Sequence, residues 1–286
     1  MPKFASTDRS RTAENAHMSQ PPPPAGRGAV PVESVRRALR ILGCFGPGVA
    51  DLGVTDIALM LDMHKSTVHR LLLSLEQEGF VRQMAGRYSL TWRLLEIASS
   101  IPLRDGLSAT ALKHFTKLVE RTGETAHLAV LDAGKVLYVE KVTGTHQLRM
   151  PSAVGRRVPL HATALGKVLL AGLDETAAHR LISAIELERM TAHTIVDAQL
   201  LRTHIKQVAK QGYATDYEEI EDGLMCIAAP VTDDNGITCA AMSIAGPASR
   251  MRAHEDRNIV AVRETAVALS AELGPVASRL SEMSNP

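Results

Sequence analysis

No run in this 286-residue sequence approaches the roughly 18 consecutive apolar residues that a membrane-spanning helix needs. Mean hydropathy is zero, so a helical membrane protein is excluded. The opening segment, MPKFASTDRSRTAENAHMSQPPPPAGRGAVP, lacks the apolar centre of an export signal. Its polar, proline-rich composition reads as a disordered arm over 1–30, and the expected location is the cytoplasm. Cysteine is scarce: Cys44, Cys226 and Cys239 show no C-x-x-C spacing and cannot build a disulfide framework, which suits a reducing compartment. Nor is there an excess of charge, the net value being +1. Over 31–91, Arg36, Arg37, Arg40, Lys65, Arg70, Arg82 and Arg87 face Glu33, Asp51, Asp56, Asp62, Glu76 and Glu78. Bulk charge therefore says nothing about nucleic acid, and placement has to decide. No G-x-G-x-x-G or phosphate-binding loop follows a strand pattern, and His161, His193, Asp216 and Cys226 lie without ligand spacing. No cofactor and no metal site is expected.

What is present begins with three helical patterns. Ser34 is a candidate cap for a helix carrying Val35, Ala38, Leu39, Leu42 and Phe45 on one stripe, and Gly46 to Gly48 ends it. A second short helix, with Thr55 as its candidate cap, runs through Ile57, Ala58, Leu59 and Leu61. A third opens at Lys65, keeps Val68, Leu71, Leu72 and Leu75 on its inner stripe, and stops at Gly79. Two helices joined across Asp62-Met63-His64 form a helix-turn-helix pattern. Lys65, Ser66, Thr67, His69 and Arg70 fall off the core stripe in the first turn and a half of the third helix, the end that a recognition helix points at base edges and phosphates. Phe80 to Gln83 and Tyr88 to Thr91 then read as a hairpin with Arg82 and Arg87 near its tip, a wing suited to the DNA backbone or minor groove. A solvated charged face on a helical hairpin is the plainer alternative; turn, polar helix start and wing in this order argue against it.

Residues 92–122 read as linker helices, Trp92 to Ser100 and Leu107 to Arg121, the latter with Leu112, Phe115, Leu118 and Val119 on a stripe suited to a dimer seam. From Glu124 the period changes to strand alternation. Residues 125–142 and 224–246 each form a hairpin, and helices at Thr163 to Ala171, Glu175 to Ser183 and Ala198 to Gln211 lie between them. A last helix spans about Glu255 to Leu273. The class is α+β: a winged helix-turn-helix over 31–91, then an antiparallel sheet with flanking helices over 123–275, and a tail at 276–286. In PLHATALGK the small residues Ala162, Thr163 and Ala164 open a helix whose exposed backbone N–H groups suit a carboxylate.

STVHRLLLSLEQEGFV (Ser66 to Val81), GRRVPLHATALGKVLLA (Gly155 to Ala171) and GYATDYEEIEDGLMCIAAPV (Gly212 to Val231) resemble the IclR family of bacterial transcriptional regulators, the likeness running from about Val32 to Leu273. In the third segment Gly212, Asp216, Glu219, Cys226 and Ile227 match the family's signature spacing. The resemblance implies an operator-binding regulator of double-stranded DNA with a GAF-like effector domain for a small organic acid, assembled as a homodimer or homotetramer. It places Ala164, Leu165, Asp216, Leu224, Cys226 and Ser243 around the effector, with Leu148 and Met150 closing the apolar side. Ala164 and Ala245 stand where well-studied relatives have glycine and serine, so a relative's two- or three-carbon acid does not transfer to this chain. Arg149, Arg156 and Arg157 are candidate partners for an anion, with an ordinary surface role as the alternative. No catalytic residue is expected. The enzyme alternative, Cys226 activated by His161, lacks a third orienting group, and a cysteine in this alternation reads as a small apolar wall residue.

Overall fold

A computed structural model describes residues 31–46, 48–99, 104–147, 152–274 and 276–277. The arm expected over 1–30, most of the expected tail, and Leu148, Arg149 and Met150 lie outside them. The chain parts into two compact units between residues 101 and 102.

In the first unit, α1 (Glu33–Gly43), α2 (Val54–Leu61) and α3 (Lys65–Gln77) enclose a core of Ile41, Phe45, Ile57, Val68, Leu72 and Leu75. Each aliphatic side chain of this kind contributes about 1.5–3 kcal/mol when fully buried. The expected inner stripe of α3 is the one that packs. That of α1 is rotated: Val35 and Leu39 are exposed, and Ile41 reaches the core instead. The expected caps differ as well. The N-terminal flank of α1 is Val32, without a side-chain cap. Thr55 lies inside α2, whose start is held by the Asp56 carboxylate accepting from the Gly53 N–H at 2.9 Å. Asp62, at φ 51, ends α2 in the left-handed region and turns the chain into α3 within three residues.

Strands β2 (Val81–Met84) and β3 (Arg87–Leu90) form the wing, and a two-residue strand β1 (Leu52–Gly53), not expected from its sequence, adds to β3 to give the order β1-β3-β2. The hairpin turn is Ala85-Gly86, with φ of 50 and 78. Positive φ at both central residues is the hand that a two-residue hairpin requires. Helix α4 (Arg93–Ser99) closes the unit and buries none of its residues.

The second unit is built on a six-stranded antiparallel sheet: β4 (Thr125–Asp132), β5 (Lys135–Val142), β6 (Arg157–Val158), β7 (Ala214–Tyr217), β8 (Leu224–Thr232) and β9 (Thr238–Pro247), in the order β6-β5-β4-β9-β8-β7. Alternation sends Leu128, Met225, Ile227, Met242 and Ile244 to one face, under α5 (Arg104–Thr122) and α10 (Glu255–Leu273). On α5, Phe115, Leu118 and Val119 pack into the unit's own core, so the stripe expected to suit a dimer seam is taken up within the chain, and Leu112 alone of its four residues is exposed. The other face carries Ala129, Tyr138, Cys226, Ala228, Ala241 and Ala245 beneath α6 (Ala164–Ala171), α7 (Glu175–Ala184) and α8 (Ala198–Gln211). A short α9 (Ala248–Ala253) joins β9 to α10.

Candidate functional site

The first unit presents its polar groups at the start of α3. Lys65, Ser66, His69 and Arg70 are exposed there, and Thr67 is half-buried beside the core residue Val68. His64 flanks the helix without a side-chain cap, and among the described residues no side chain takes the first amides of α3. An exposed helix start flanked by cations is a place for phosphate or base edges. On the wing, Arg82 is exposed and touches the Ser89 hydroxyl at 3.3 Å. Arg87 is held differently. Its guanidinium is paired with the Asp51 carboxylate, donates to the Asp51 carbonyl at 3.1 Å and lies 3.3 Å from Asp56. The Asp51 partnership pushes its pKa up.

In the second unit the sheet register brings residues distant in sequence side by side. Asp216 on β7 stands opposite Cys226 on β8, which stands opposite Ala245 on β9 and then Thr125 on β4. One step along, Ala228, Ser243 and His127 form a parallel row. Both rows face the inner layer, where α6 begins. Thr163 caps that helix, accepting from the Gly166 N–H at 3.1 Å. Helix geometry leaves the amides of Ala164 and Leu165 without an intrahelical acceptor. Leu165 and Leu224 are buried in the same apolar cluster as Cys226.

Two buried polar atoms on this face have no hydrogen-bond partner among the described residues: the Ser243 hydroxyl oxygen and Oδ2 of Asp216. Leaving such a group unsatisfied costs about 1–3 kcal/mol, so each is available to hydrogen-bond a water or a bound molecule. Burial pushes the Asp216 carboxyl up to about 7, against hydrogen bonds from the Glu219 and Ile220 amides that favour its ionised form. The other oxygen of Asp216 accepts from the Glu219 N–H at 2.7 Å. Behind it, the fully buried Lys167 ammonium pairs with the Glu219 carboxylate and donates to the Thr215 carbonyl at 3.1 Å.

Four of these groups escaped the sequence reading: His127, Tyr138, Lys167 and Glu219 in its pairing role. His127 is buried, stacks on Tyr138 with ring centroids 4.9 Å apart, and shares a 2.7 Å hydrogen bond with the Ser152 hydroxyl. Burial, helped by the Lys141 ammonium, pushes its pKa down to about 3, so the imidazole is uncharged at neutral pH. Lys167 did carry a signal: a cation inside the apolar stretch ATALGKVLLA needs a buried anion. Of the arginines considered for an anion, Arg157 pairs with Asp132 at the surface and Arg156 is exposed.

The arrangement gives the enzyme alternative no support. Burial pushes the Cys226 thiol well above its ordinary value, the opposite of what a nucleophile needs. The His161 ring hydrogen-bonds the Glu188 carbonyl at 2.9 Å, and among the described residues no hydrogen bond joins it to Cys226. No group of three or more His, Cys, Asp or Glu among the described residues is placed to hold a metal ion, and no described helix is long and apolar enough to cross a membrane. A separate groove of about 790 Å³ between α7 and α8 is lined by none of the residues singled out from the sequence.

Residues 34–85 match the IclR helix-turn-helix domain, and residues 103–271 match the bacterial transcriptional regulator IclR C-terminal domain. The HTH-type transcriptional regulator KdgR of Dickeya chrysanthemi is 38% identical over 237 residues, covering 82% of this chain and 77% of that protein. Among solved structures, the Thermotoga maritima IclR is 31% identical with a TM-score of 0.67, over 87% of this chain and 99% of that one. An IclR homolog from Microbacterium hydrocarbonoxydans, complexed with 4-hydroxybenzoate, is 26% identical with a TM-score of 0.74, over 84% of this chain and 98% of that one.

Proposed function

The chain belongs to the IclR family, whose members are DNA-binding transcriptional regulators, and from that premise we propose that it binds its operator as a homodimer or homotetramer and changes DNA affinity when a small carboxylic acid enters the second unit. The observation that carries the effector half is the pair of unpartnered buried groups, Ser243 Oγ and Asp216 Oδ2, on the sheet face under the α6 helix start. The carboxylate takes the Ala164 and Leu165 amides, and Asp216 and Ser243 take its remaining polar groups. Leu165, Leu224 and Cys226 supply the apolar wall. A relative that holds 4-hydroxybenzoate supports an acid as the effector class.

For the DNA half, Lys65, Ser66, Thr67, His69 and Arg70 enter the major groove, and Arg82 lies along the backbone. Arg87 acts indirectly, fixing the wing to Asp51 and Asp56. Exposed Val35, Leu39, Trp92, Leu95 and Ile97 offer apolar surface for a second copy. Two copies also supply the two half-sites that a small module needs for tight binding. Arg70→Ala is expected to weaken binding to every sequence by about tenfold and to lower the salt slope by about one. Ser66→Ala and His69→Ala are expected to change base preference instead. Footprinting across a salt series checks this; variants that footprint like the parent remove α3 from the groove.

A further inference from the structure

We propose that Lys167 and Glu219 are positioning residues that hold Asp216 ready to donate a proton to the effector's carboxylate, so that effector binding takes up a proton from solvent. This rests on the effector-pocket reading above.

Asp216 is fully buried, with one oxygen fixed by the Glu219 amide and the other unpartnered on the face where the acid docks. The Glu219 amide is itself held in place. The Lys167 ammonium grips the Glu219 side chain, and the Thr194 hydroxyl donates to the Glu219 carbonyl at 2.6 Å. Thr191 does the same for the Glu218 carbonyl at 2.7 Å. The turn after β7 is therefore clamped on both sides, and Asp216 has one orientation available. An ionised Asp216 would face an incoming carboxylate as a second anion, in a site from which water is excluded. As a carboxylic acid it donates Oδ2–H to one carboxylate oxygen, a charge-assisted hydrogen bond. Above the Asp216 midpoint the balance is one proton: effector carboxylate, ionised Asp216 and one proton from solvent give a single shared acid–carboxylate pair; below it Asp216 already holds that proton and none is taken up.

Burial sets this poise first, and the charges around Asp216 adjust it. From α6 comes Lys167, which favours the ionised form, and from the turn comes Glu219, which favours the protonated form. Cys226 on β8 and Tyr138 on β5 also sense Asp216, and burial pushes both pKa values up, so both are neutral. His204 on α8 faces Lys167, and burial lowers its pKa, so it too is neutral above its ordinary range. Among the described groups, the Lys167–Glu219 pair is thus the charged neighbour that adjusts how readily the buried Asp216 keeps its proton.

The test is carbon-13 NMR of aspartate carboxyl carbons in the full-length protein between pH 4 and 9, with Asp216 assigned by the signal that Asp216→Asn removes. Asp216 is expected to titrate near 7. Glu219→Gln, which keeps an acceptor for Lys167, should lower that midpoint by about one pH unit. Lys167→Met should raise it, and Glu219→Gln carries the test alone if that variant does not fold. The carboxylate probes are acetate, benzoate and 4-hydroxybenzoate, at least one of which should raise the parent's midpoint and shift the Ala164 and Ser243 amides. A midpoint in the ordinary carboxylate range, or one unmoved by Glu219→Gln, overturns the proposal. If a probe shifts the two amides but not the Asp216 titration, the pocket stands and proton donation is wrong. If none of the three shifts either, the pocket reading falls and takes the proposal with it.

Discussion

Gly166→Ala is expected to destabilise the second unit by at least about 3 kcal/mol, the upper part of the range for overpacking a tight core. Gly166 lies in the first turn of α6, where an added Cβ would fall 2.5 Å from the Leu160 Cα and 2.6 Å from its carbonyl carbon. Those are backbone atoms, so no side-chain rotation relieves the overlap. The helix start has to move away from the segment that leads into it, and it carries with it the Thr163 cap and the amides of Ala164 and Leu165. For a unit of this size the unfolding midpoint should fall by about 6–12 °C. At temperatures where the variant remains folded, response to an acid should be weakened while selective DNA binding persists. Calorimetry and anisotropy on the same preparation check both halves. A midpoint within 2 °C of the parent's, about the scale of a change below 1 kcal/mol, would mean that the close approach at Leu160 is not a structural requirement.

Asp216→Asn should act in the opposite direction on stability. In the folded chain the Asp216 carboxyl is raised from 3.8 to about 7, mainly by burial. Below pH 4 both folded and unfolded chains hold the proton, and no penalty arises. As pH rises from 4 to 7 the unfolded chain releases it while the folded chain keeps it, so folding loses stability throughout that window. Above 7 the loss is complete, on the order of 4 kcal/mol as an upper bound. An asparagine has no proton to lose and can still accept from the Glu219 amide. The variant should therefore be more stable than the parent at pH 8, with most of the advantage gone at pH 4.5, and its response to the acid should lose the pH dependence near 7, because the amide N–H donates where the acid O–H did. Urea unfolding at the two pH values measures this; a variant less stable at pH 8 would show that Asp216 is tied into the fold by bonds that need its charge.

Local patterns were legible and non-local ones were not. The inner stripe of α3 and its polar start follow from helical spacing, and the 125–142 and 224–246 hairpins from alternation around Gly134 and Gly236. The small residues before α6 correctly marked a helix start. By contrast, β1 and β6 are two residues each and exist only because β3 and β5 offer them an edge. At α2 the carboxylate of Asp56 reaches back to Gly53 and secures the helix start, leaving Thr55 as an ordinary first-turn residue. Arg87 reads as a wing-tip cation in sequence, yet Asp51, 36 residues earlier, holds it. The site rows fall in the same class. Asp216 and Cys226 are near in sequence, but His127 joins Ser243 only through pairing of β4 with β9, which no local period reports.

An acid bound in the second unit is expected to alter how the first unit holds DNA, which an effector achieves only through different affinities for two states of the protein. The most direct measurement is anisotropy of the full-length chain on labelled fragments of its own upstream DNA, across a salt series, with and without a panel of small carboxylic and aromatic acids including 4-hydroxybenzoate. Sequence-selective binding is expected that at least one acid strengthens or weakens, with the response lost in Asp216→Ala while DNA binding remains. Absence of selective binding at low salt, or an acid response that Asp216→Ala leaves intact, overturns this reading.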